Sequence, residues 1–284
     1  MTTLNDARRE LAGRLGEAGI ADAALEAKYL VSAATRLEGA SLIAEGRRVI
    51  TADEAERLEA MAARRLAREP LAHILGNQPF WTLDLEVSPD VLIPRADTET
   101  LVETALDQMP SAPGIQRVLD VGTGSGAVLL AILKERPNAY GIGTDISAAA
   151  LKMAERNAAR NGLDGRSGFR QTSWAGGLKG TDFDLAVSNP PYIATAVIAG
   201  LEPEVRDHDP ALALDGGEDG LEAYRALLPE LFRVLKPGAP MAVEIGFDQA
   251  AAVCALTTDA GFTGIGVRCD LGGNDRVVHA LKPK

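Results

Sequence analysis

The chain has 284 residues, of which 46% are hydrophobic and 24% charged. This is the balance of a globular protein of about two domains and excludes a disordered or collagen-like chain. No apolar run approaches the ~18 residues of a membrane-spanning helix, so no membrane association is expected. The formal net charge of −11 divides into −1 over residues 1–80 and −10 over the rest. Because binding to phosphates needs a basic face, stable nucleic-acid binding is disfavoured.

The N-terminal segment lacks the apolar core of a secretory signal, and we expect a cytoplasmic protein. Its two cysteines, Cys254 and Cys269, are too few for a disulfide framework and suit a reducing compartment. The three histidines are scattered, and no cluster has the spacing of metal ligands, so we predict no metal.

The first 72 residues are predicted to form a small all-helical domain. Apolar residues recur at helical spacing from Leu4 to Ala18, and a second helix is predicted from Asp22 to Ala34. Thr51 and Glu54 form the pattern of a capping box at the start of a further helix, which Pro70 ends. None of these residues is an obvious catalytic candidate, so the domain is interpreted as one that packs or recognises a partner.

Residues 73–96 are predicted to connect this domain to a second one. Glycine and proline punctuate short segments there, and the alternation over Phe80–Leu85 indicates a β-hairpin. A helix is predicted from about Asp97 to Met109, at the start of a domain that covers residues 97–284.

The second domain alternates strands and helices from Gln116 onward, which predicts an α/β fold with a mostly parallel sheet. The last two strands are joined by only Leu271–Asp275, too short for a parallel crossover, so they should pair antiparallel. The predicted strands lie near residues 117–121, 139–144, 166–171, 183–188, 240–245, 263–269 and 276–282. The predicted helices lie near residues 126–135, 148–161, 218–235 and 248–260.

A glycine-rich turn, Asp120–Gly126, follows the first of these strands and opens a helix. Glycines permit a tight turn and close approach of a ligand to the backbone, and the helix N-terminus offers free N–H groups. Gly122, Gly124 and Ala127 also satisfy the dinucleotide pattern. The plain structural alternative is a tight strand-to-helix turn without a ligand.

Asp145 ends the next strand, about 20 residues further on, where an acid binds ribose hydroxyls in Rossmann-like sites. Its plain alternative is an N-cap for the helix after Ile146. These features together fit NAD or S-adenosylmethionine equally well.

The segment Asn189–Tyr192 follows the strand at 183–188, so it belongs to the same sheet edge as the glycine turn. Its two prolines fix the backbone and remove two N–H donors. The Asn189 amide and the Pro190 carbonyl are then placed to bind the two hydrogens of a planar NH2 group, and Tyr192 to stack on its plane. This arrangement favours methylation of an amino or amide nitrogen over hydride transfer; the alternative is a chance turn.

The chain resembles the release-factor glutamine N5-methyltransferases, the PrmC/HemK family, from about residue 69 to its end. The specific signal is the combination of Asn189–Tyr192 with Ile93-Pro94-Arg95 and a helical N-terminal domain. Further segments that resemble the family are Arg68–Gly76, Phe80-Trp81, Asp97-Thr98-Glu99, Asp120–Gly126, Asp215–Leu221 and Gly272–Arg276. Ala96 and Asp209 depart from its usual pattern.

The resemblance implies a Rossmann-like class I methyltransferase that uses S-adenosylmethionine to methylate the glutamine of the GGQ motif in peptide chain release factors, in translation termination. We expect that the N-terminal helical domain recognises that partner, because it lacks candidate catalytic residues, and that the chain is a monomer. The implied catalytic residues are Asn189, Pro190 and Tyr192, and the same residues with Pro191 would bind substrate. The implied cofactor-binding residues are Gly122, Thr123, Gly124, Ser125, Gly126, Asp145, Trp174 and Asn189.

Several alternatives stay open at this point. Trp174 fits a core position as well as a place beside adenine, and Arg95 fits a salt bridge as well as a substrate contact. Residues 193–217 are predicted to form a long loop that closes on or binds substrate. Two other functions compete: methylation of adenine N6 or guanine N2 on a flipped base, which the charge disfavours, and a non-catalytic nucleotide-binding adaptor.

Overall fold

The computed structural model describes residues 2–109, 114–180 and 182–284, and it divides into two compact units. One contains the residues up to Gly76 together with Pro203–His208. The other contains Asn77–Glu202 and Asp209–Lys284. Among the described residues, no helix is both long and apolar enough to cross a membrane.

The first unit is helical, as predicted. Thr3 caps α1 in a capping box, and the predicted box of Thr51 with Glu54 is confirmed at the start of α4. Its apolar stripes meet in a core that includes Leu11, Leu15 and Leu30, all nearly inaccessible to solvent. Its helices are α1 (Leu4–Glu17), α2 (Ala23–Thr35), α3 (Gly39–Ala44), α4 (Ala52–Leu66) and α5 (Leu71–Leu75).

A buried ion-pair network ties Pro203–His208 into this helical unit. The Arg65 side chain is almost wholly buried and donates to Glu26 Oε2 at 2.6 Å and to Glu204 Oε1 at 3.0 Å. Arg68 donates to the other Glu204 oxygen at 2.9 Å. Arg65 and Arg68 therefore bind a segment from much later in the chain.

The second unit begins with the predicted hairpin, in which β1 (Asn77–Phe80) pairs antiparallel with β2 (Leu83–Glu86). A 3-10 turn over Ala96–Thr98 leads into α6 (Glu99–Gln108). Phe80, Leu83 and Leu85 of the hairpin belong to the apolar core of the sheet unit. The hairpin is thus part of that unit, although the sequence predicted it as a connector; the predicted functional division into domains stays a prediction.

Among the described residues, seven strands form one sheet in the order β5-β4-β3-β6-β7-β9-β8. Strands β3 to β7 run parallel, and β9 is antiparallel to both β7 and β8, as predicted for the end of the chain. Between β5 and β6 the chain crosses back to the other side of β3, which makes the β3–β6 edge the switch point where ligands of such sheets bind. The strands are β3 (Gln116–Val121), β4 (Ala139–Asp145), β5 (Ser167–Gln171), β6 (Leu185–Ser188), β7 (Pro240–Glu244), β8 (Thr263–Cys269) and β9 (Asp275–Leu281).

Helices cover both faces of the sheet, and alternate residues of each strand pack into two separate apolar cores. Val118 and Val187 pack on the face of α6 and α7, whereas Leu119 and Met241 pack on the opposite face with α12 and α13. The predicted helix positions are confirmed to within a few residues. These helices are α7 (Ala127–Glu135), α8 (Ala148–Arg160), α12 (Glu222–Val234) and α13 (Ala250–Asp259).

The segment 193–217 is not the unstructured loop that the sequence predicted. It contains three single-turn helices, α9 (Thr195–Ile198), α10 (Pro203–Arg206) and α11 (Ala211–Leu214). One turn shows no helical periodicity, so a pattern of apolar residues could not reveal them.

Candidate active site

A cavity of about 380 Å³ opens at the carboxyl ends of β3, β4 and β6, entirely within the sheet unit. It brings together most of the predicted site. The predicted residues that line it are Gly122, Thr123, Gly124, Ser125, Asp145, Trp174, Asn189 and Pro191. Gly126, Pro190 and Tyr192 do not line it, so their direct roles stay predictions.

The glycine turn has the left-handed backbone that its sequence predicted. Gly124 has φ +54° and Gly126 φ +84°, conformations that favour glycine. At Gly126 a Cβ atom would lie 3.2 Å from Ala154 Cβ and Leu130 Cδ1, so this glycine permits close packing of α7 on α8. The turn therefore shapes the cavity, while Gly126 itself lies behind its wall.

Asp145 braces the glycine turn from the neighbouring strand. Its Oδ2 accepts from the Gly124 N–H and its Oδ1 from the Ser147 N–H, both at 2.9 Å. The N-cap of α8 is Ser147, whose side chain accepts from the Ala150 N–H, so the capping alternative for Asp145 is wrong. An ionised carboxylate has about four acceptor positions, and Asp145 therefore keeps capacity for ligand hydroxyls in the cavity.

Asp120 supports the same turn from inside the sheet. The Thr123 hydroxyl donates to Asp120 Oδ2 at 2.6 Å. Burial raises the pKa of the Asp120 carboxyl to about 7. Two acidic side chains thus hold the glycine turn, the buried Asp120 and the partly buried Asp145, and both line the cavity.

Trp174 combines both roles that its sequence position allowed. It lines the cavity, and it also packs against the core on the α12–α13 face. Its φ of +51° is rare for a bulky residue and holds the indole at the end of β5. The role beside a cofactor base stays a prediction.

Asn189 follows β6 directly and projects into the cavity. Its Nδ2 donates to Thr98 Oγ1 at 3.3 Å. With Nδ2 bound in this way, Oδ1 is the end of the amide that stays available to a ligand. This geometry agrees with the acceptor role predicted for Asn189.

Tyr192 lies behind the cavity wall. Its hydroxyl donates to Glu244 Oε1 at 3.4 Å, and its main-chain oxygen accepts from Gln249 Nε2 at 3.0 Å. Burial raises the pKa of the Tyr192 phenol far above its usual value. The phenol is therefore a neutral donor that anchors the Asn-Pro-Pro-Tyr segment to the end of β7.

Glu244, at the end of β7, is a functional candidate that the sequence analysis missed. It is 2% exposed, and burial raises the pKa of its carboxyl to about 7, against the opposing effects of Thr98 and Arg276. The sequence feature that could have indicated this residue is a charged side chain at the end of an otherwise apolar strand. Further cavity residues missed as site residues are Asp90, Val91, Leu92, Pro94, Thr98, Ile146, Pro210, Leu212 and Ala213.

Arg95 forms the salt bridge that was one of its two interpretations, with Nη2 2.7 Å from Asp209 Oδ2. The Asp209 side chain is fully buried, whereas Arg95 is about half exposed and lines the cavity. The salt bridge joins the segment before α6 to the segment that carries α11. Ala96 and Asp209, which depart from the family pattern, thus lie in or beside this junction.

Comparisons with known proteins show the family of this chain. The family model of the PrmC N-terminal domain matches residues 6–76, and that of the methyltransferase small domain matches residues 97–200. A release factor glutamine methyltransferase of Caulobacter vibrioides is 46% identical over 95% of this chain and 93% of its own. One of Bradyrhizobium diazoefficiens is 47% identical over 99% of this chain and 95% of its own.

Among solved structures, a methyltransferase from Pyrococcus furiosus superposes with a TM-score of 0.52 at 21% identity, over 80% of this chain and all of the other. This likeness shows the fold and confirms the predicted methyltransferase sheet. The identity with the curated relatives extends over nearly the whole chain, including both units. The chain therefore belongs to the release factor glutamine methyltransferase family.

Proposed function

We propose that this chain transfers a methyl group from S-adenosylmethionine to the side-chain amide nitrogen of the glutamine in the GGQ motif of peptide chain release factors. The observation that carries the proposal is that the glycine turn, Asp145 and Asn189 line one cavity, with Nδ2 of Asn189 bound to the Thr98 hydroxyl so that Oδ1 stays available to a ligand. The family assignment supports the same substrate class.

The residues that line the cavity have side chains and backbone groups of the kind that bind S-adenosylmethionine. Asp145 offers carboxylate oxygens of the kind that bind ribose hydroxyls, and Trp174 and Ile146 offer apolar surface for a base. The turn at Gly122–Ser125 offers backbone at the start of α7 to the methionine portion. When bound, S-adenosylmethionine supplies an electrophilic methyl group on a positively charged sulfur.

The chain's own contribution is to position and polarise the substrate amide. An amide nitrogen is a weak nucleophile because its lone pair is delocalised, so its alignment with the methyl group dominates the rate. Acceptance of one amide hydrogen by Asn189 Oδ1, and of the other by the Pro190 carbonyl, stabilises the positive charge that develops on nitrogen. The nitrogen can release its proton after transfer, so no general base is required beside it.

Methylation of a nucleic-acid base is the alternative for the same NH2-binding geometry. The charge of −10 over residues 81–284 opposes approach of a phosphate backbone. A non-catalytic adaptor would have no use for the arrangement of Asn189 and Thr98. We therefore propose a protein rather than a nucleic acid as substrate, and we propose that the enzyme is a cytoplasmic monomer.

The helical unit is proposed to recognise the release factor. Leu25 and Tyr29 lie four residues apart on α2, and each is nearly half exposed, which gives this helix an apolar surface available to a partner. Replacing both by serine should raise the KM for intact release factor about tenfold, because two apolar contacts are lost. Methyl transfer to a short GGQ peptide and cofactor affinity should stay unchanged, and an unchanged KM for the intact protein would contradict this role.

A three-armed transfer assay tests the proposed function. Labelled S-adenosylmethionine is incubated with the chain and either a release factor, bare DNA and RNA, or no acceptor. We expect label on the release factor alone. Label on nucleic acid would favour the alternative activity, and cofactor binding without label in any arm would favour the adaptor.

A further inference from the structure

The side-chain amide of Asn189 has two chemically different ends, and only one of them suits the proposed substrate. An NH2 group carries two donors, so it can bind Asn189 Oδ1 but not Nδ2. A rotation of the amide by half a turn would exchange the two ends. Efficient transfer therefore needs a neighbour that fixes which end faces the cavity.

Thr98 is that neighbour. The residue is 4% exposed, and its hydroxyl accepts from Asn189 Nδ2 at 3.3 Å. A hydroxyl has one hydrogen, and a hydroxyl that donates that hydrogen to another group presents only lone pairs to Asn189. The direction of the Asn189 amide thus depends on where the Thr98 hydrogen points.

Glu244 is the group that we infer to accept that hydrogen, because its carboxyl interacts with the Thr98 side chain. The Thr98 hydroxyl faces the Glu244 carboxyl, and the Glu244 Oε2 atom is buried with no partner of ordinary hydrogen-bond length among the described residues. The other groups that face Glu244 are the Tyr192 hydroxyl on its Oε1, the Tyr224 hydroxyl on its main-chain oxygen, Arg276 and Asp97. The Tyr192 hydroxyl donates to the carboxyl and the Tyr224 hydroxyl to the main-chain oxygen, so the carboxyl is an acceptor in this cluster when it is ionised.

We propose that Glu244 and Thr98 are positioning residues that hold the Asn189 amide with Oδ1 toward the substrate nitrogen. This inference rests on the proposed function and adds two residues, Thr98 and Glu244, that support the Asn-Pro-Pro-Tyr segment. Glu244 orients Thr98, and Thr98 in turn orients Asn189. Tyr192, bound to the same carboxylate, ties the end of the segment to the same point.

The cluster also gives a reason for pH dependence of the rate. A protonated Glu244 can donate to Thr98, and the Thr98 hydrogen can then turn toward Asn189 and favour the reversed amide. Burial places the pKa of this carboxyl near neutrality, with Arg276 opposing and Asp97 reinforcing the rise. The rate should therefore increase as pH rises through about 7, and Glu244→Gln should remove the part of that step that belongs to Glu244 and leave any part that belongs to Asp120, whose pKa burial also raises to about 7.

The direct test replaces the Thr98 hydroxyl. Thr98→Val should lower kcat about tenfold, the effect of one neutral hydrogen bond, with cofactor Kd unchanged within twofold. Thr98→Ser should restore most of the loss because it keeps the hydroxyl. The matched control is Thr104→Val, which removes another buried hydroxyl that donates within α6 to the Thr100 main-chain oxygen at 2.7 Å; its kcat should stay within twofold of wild type.

A double variant separates orientation from general packing. In Asn189→Asp both ends of the side chain are oxygens, so no flip remains to be fixed. Adding Thr98→Val to Asn189→Asp should then change kcat by less than twofold, whereas independent effects would multiply to another tenfold loss.

The outcomes are distinct for the two proposals. A wild-type rate in Thr98→Val, a full tenfold loss on adding Thr98→Val to Asn189→Asp, or a pH profile that is unchanged in Glu244→Gln would each overturn this inference alone. Absence of transfer to release factor by the wild-type chain, with cofactor bound, would overturn the proposed function and this inference with it.

Discussion

Truncation of Asn189 to alanine removes the one side-chain acceptor that faces the cavity from the end of β6. In the structure, Asn189 Oδ1 is presented because Nδ2 is bound to Thr98 Oγ1 at 3.3 Å. Without it, one hydrogen of the substrate amide has no acceptor at the moment when positive charge develops on nitrogen. Loss of one such contact costs roughly 3 kcal/mol, or on the order of 10²–10³ in kcat.

The assay is single-turnover methyl transfer to intact release factor, with cofactor affinity measured by calorimetry on the same samples. Asn189→Ala should lose kcat by that factor while cofactor Kd stays within about threefold, because the residues proposed to bind the ribose and the base, Asp145 and Trp174, lie elsewhere on the cavity wall. Asn189→Asp keeps an acceptor of nearly the same shape and should retain clearly more turnover than alanine. Equal inactivity of both folded, cofactor-bound variants would refute an acceptor role and assign the function of Asn189 to its NH2 group.

Two further predictions follow from the acids of the sheet edge. In Asp145→Asn only one side-chain oxygen remains to accept from the N–H groups of Gly124 and Ser147, and the new NH2 group faces whichever N–H is left without an acceptor. Cofactor affinity, measured by calorimetry, should therefore fall about 10–100-fold. An unchanged Kd would contradict the role of Asp145. The pKa of Glu244 is raised from 4.5 in the free side chain to about 7 in the folded protein, so the folded state holds a proton that the unfolded state has lost between these values. The contribution of Glu244 to stability is therefore present below pH 4.5 and is lost as pH rises to about 7, by about 3 kcal/mol. Urea denaturation should show this loss in wild type relative to Glu244→Gln, in which Asp120 still titrates; parallel pH profiles of the two proteins would contradict it.

The sequence was sufficient to predict the architecture because the sheet obeys local rules. Strands such as Leu185–Ser188 are buried on both faces and appear as short apolar runs, and the turn at Gly122–Gly126 needs glycine at left-handed positions. The antiparallel final strand followed from the short link before Asp275. These features depend on neighbours within a few residues, so a single sequence contains them.

The residues that support Asn189 could not be predicted in the same way. Thr98 and Glu244 lie on different elements far apart in the chain, and only the position of β7 beside β6 brings Glu244 behind Asn189. Likewise, the partners of Arg65 and Arg95 come from the single-turn helices and the link between them, at Glu204 and Asp209. A single sequence shows the residue types but not these pairings, because they depend on tertiary packing.

The most direct test of the central claim is mass spectrometry of release factor after reaction with the purified chain and S-adenosylmethionine carrying a deuterated methyl group. The account predicts one added deuterated methyl group, located by fragmentation on the side-chain nitrogen of the GGQ glutamine, and none on a release factor in which that glutamine is replaced by alanine. A methyl group on any other residue, or equal labelling of the alanine variant, would contradict it.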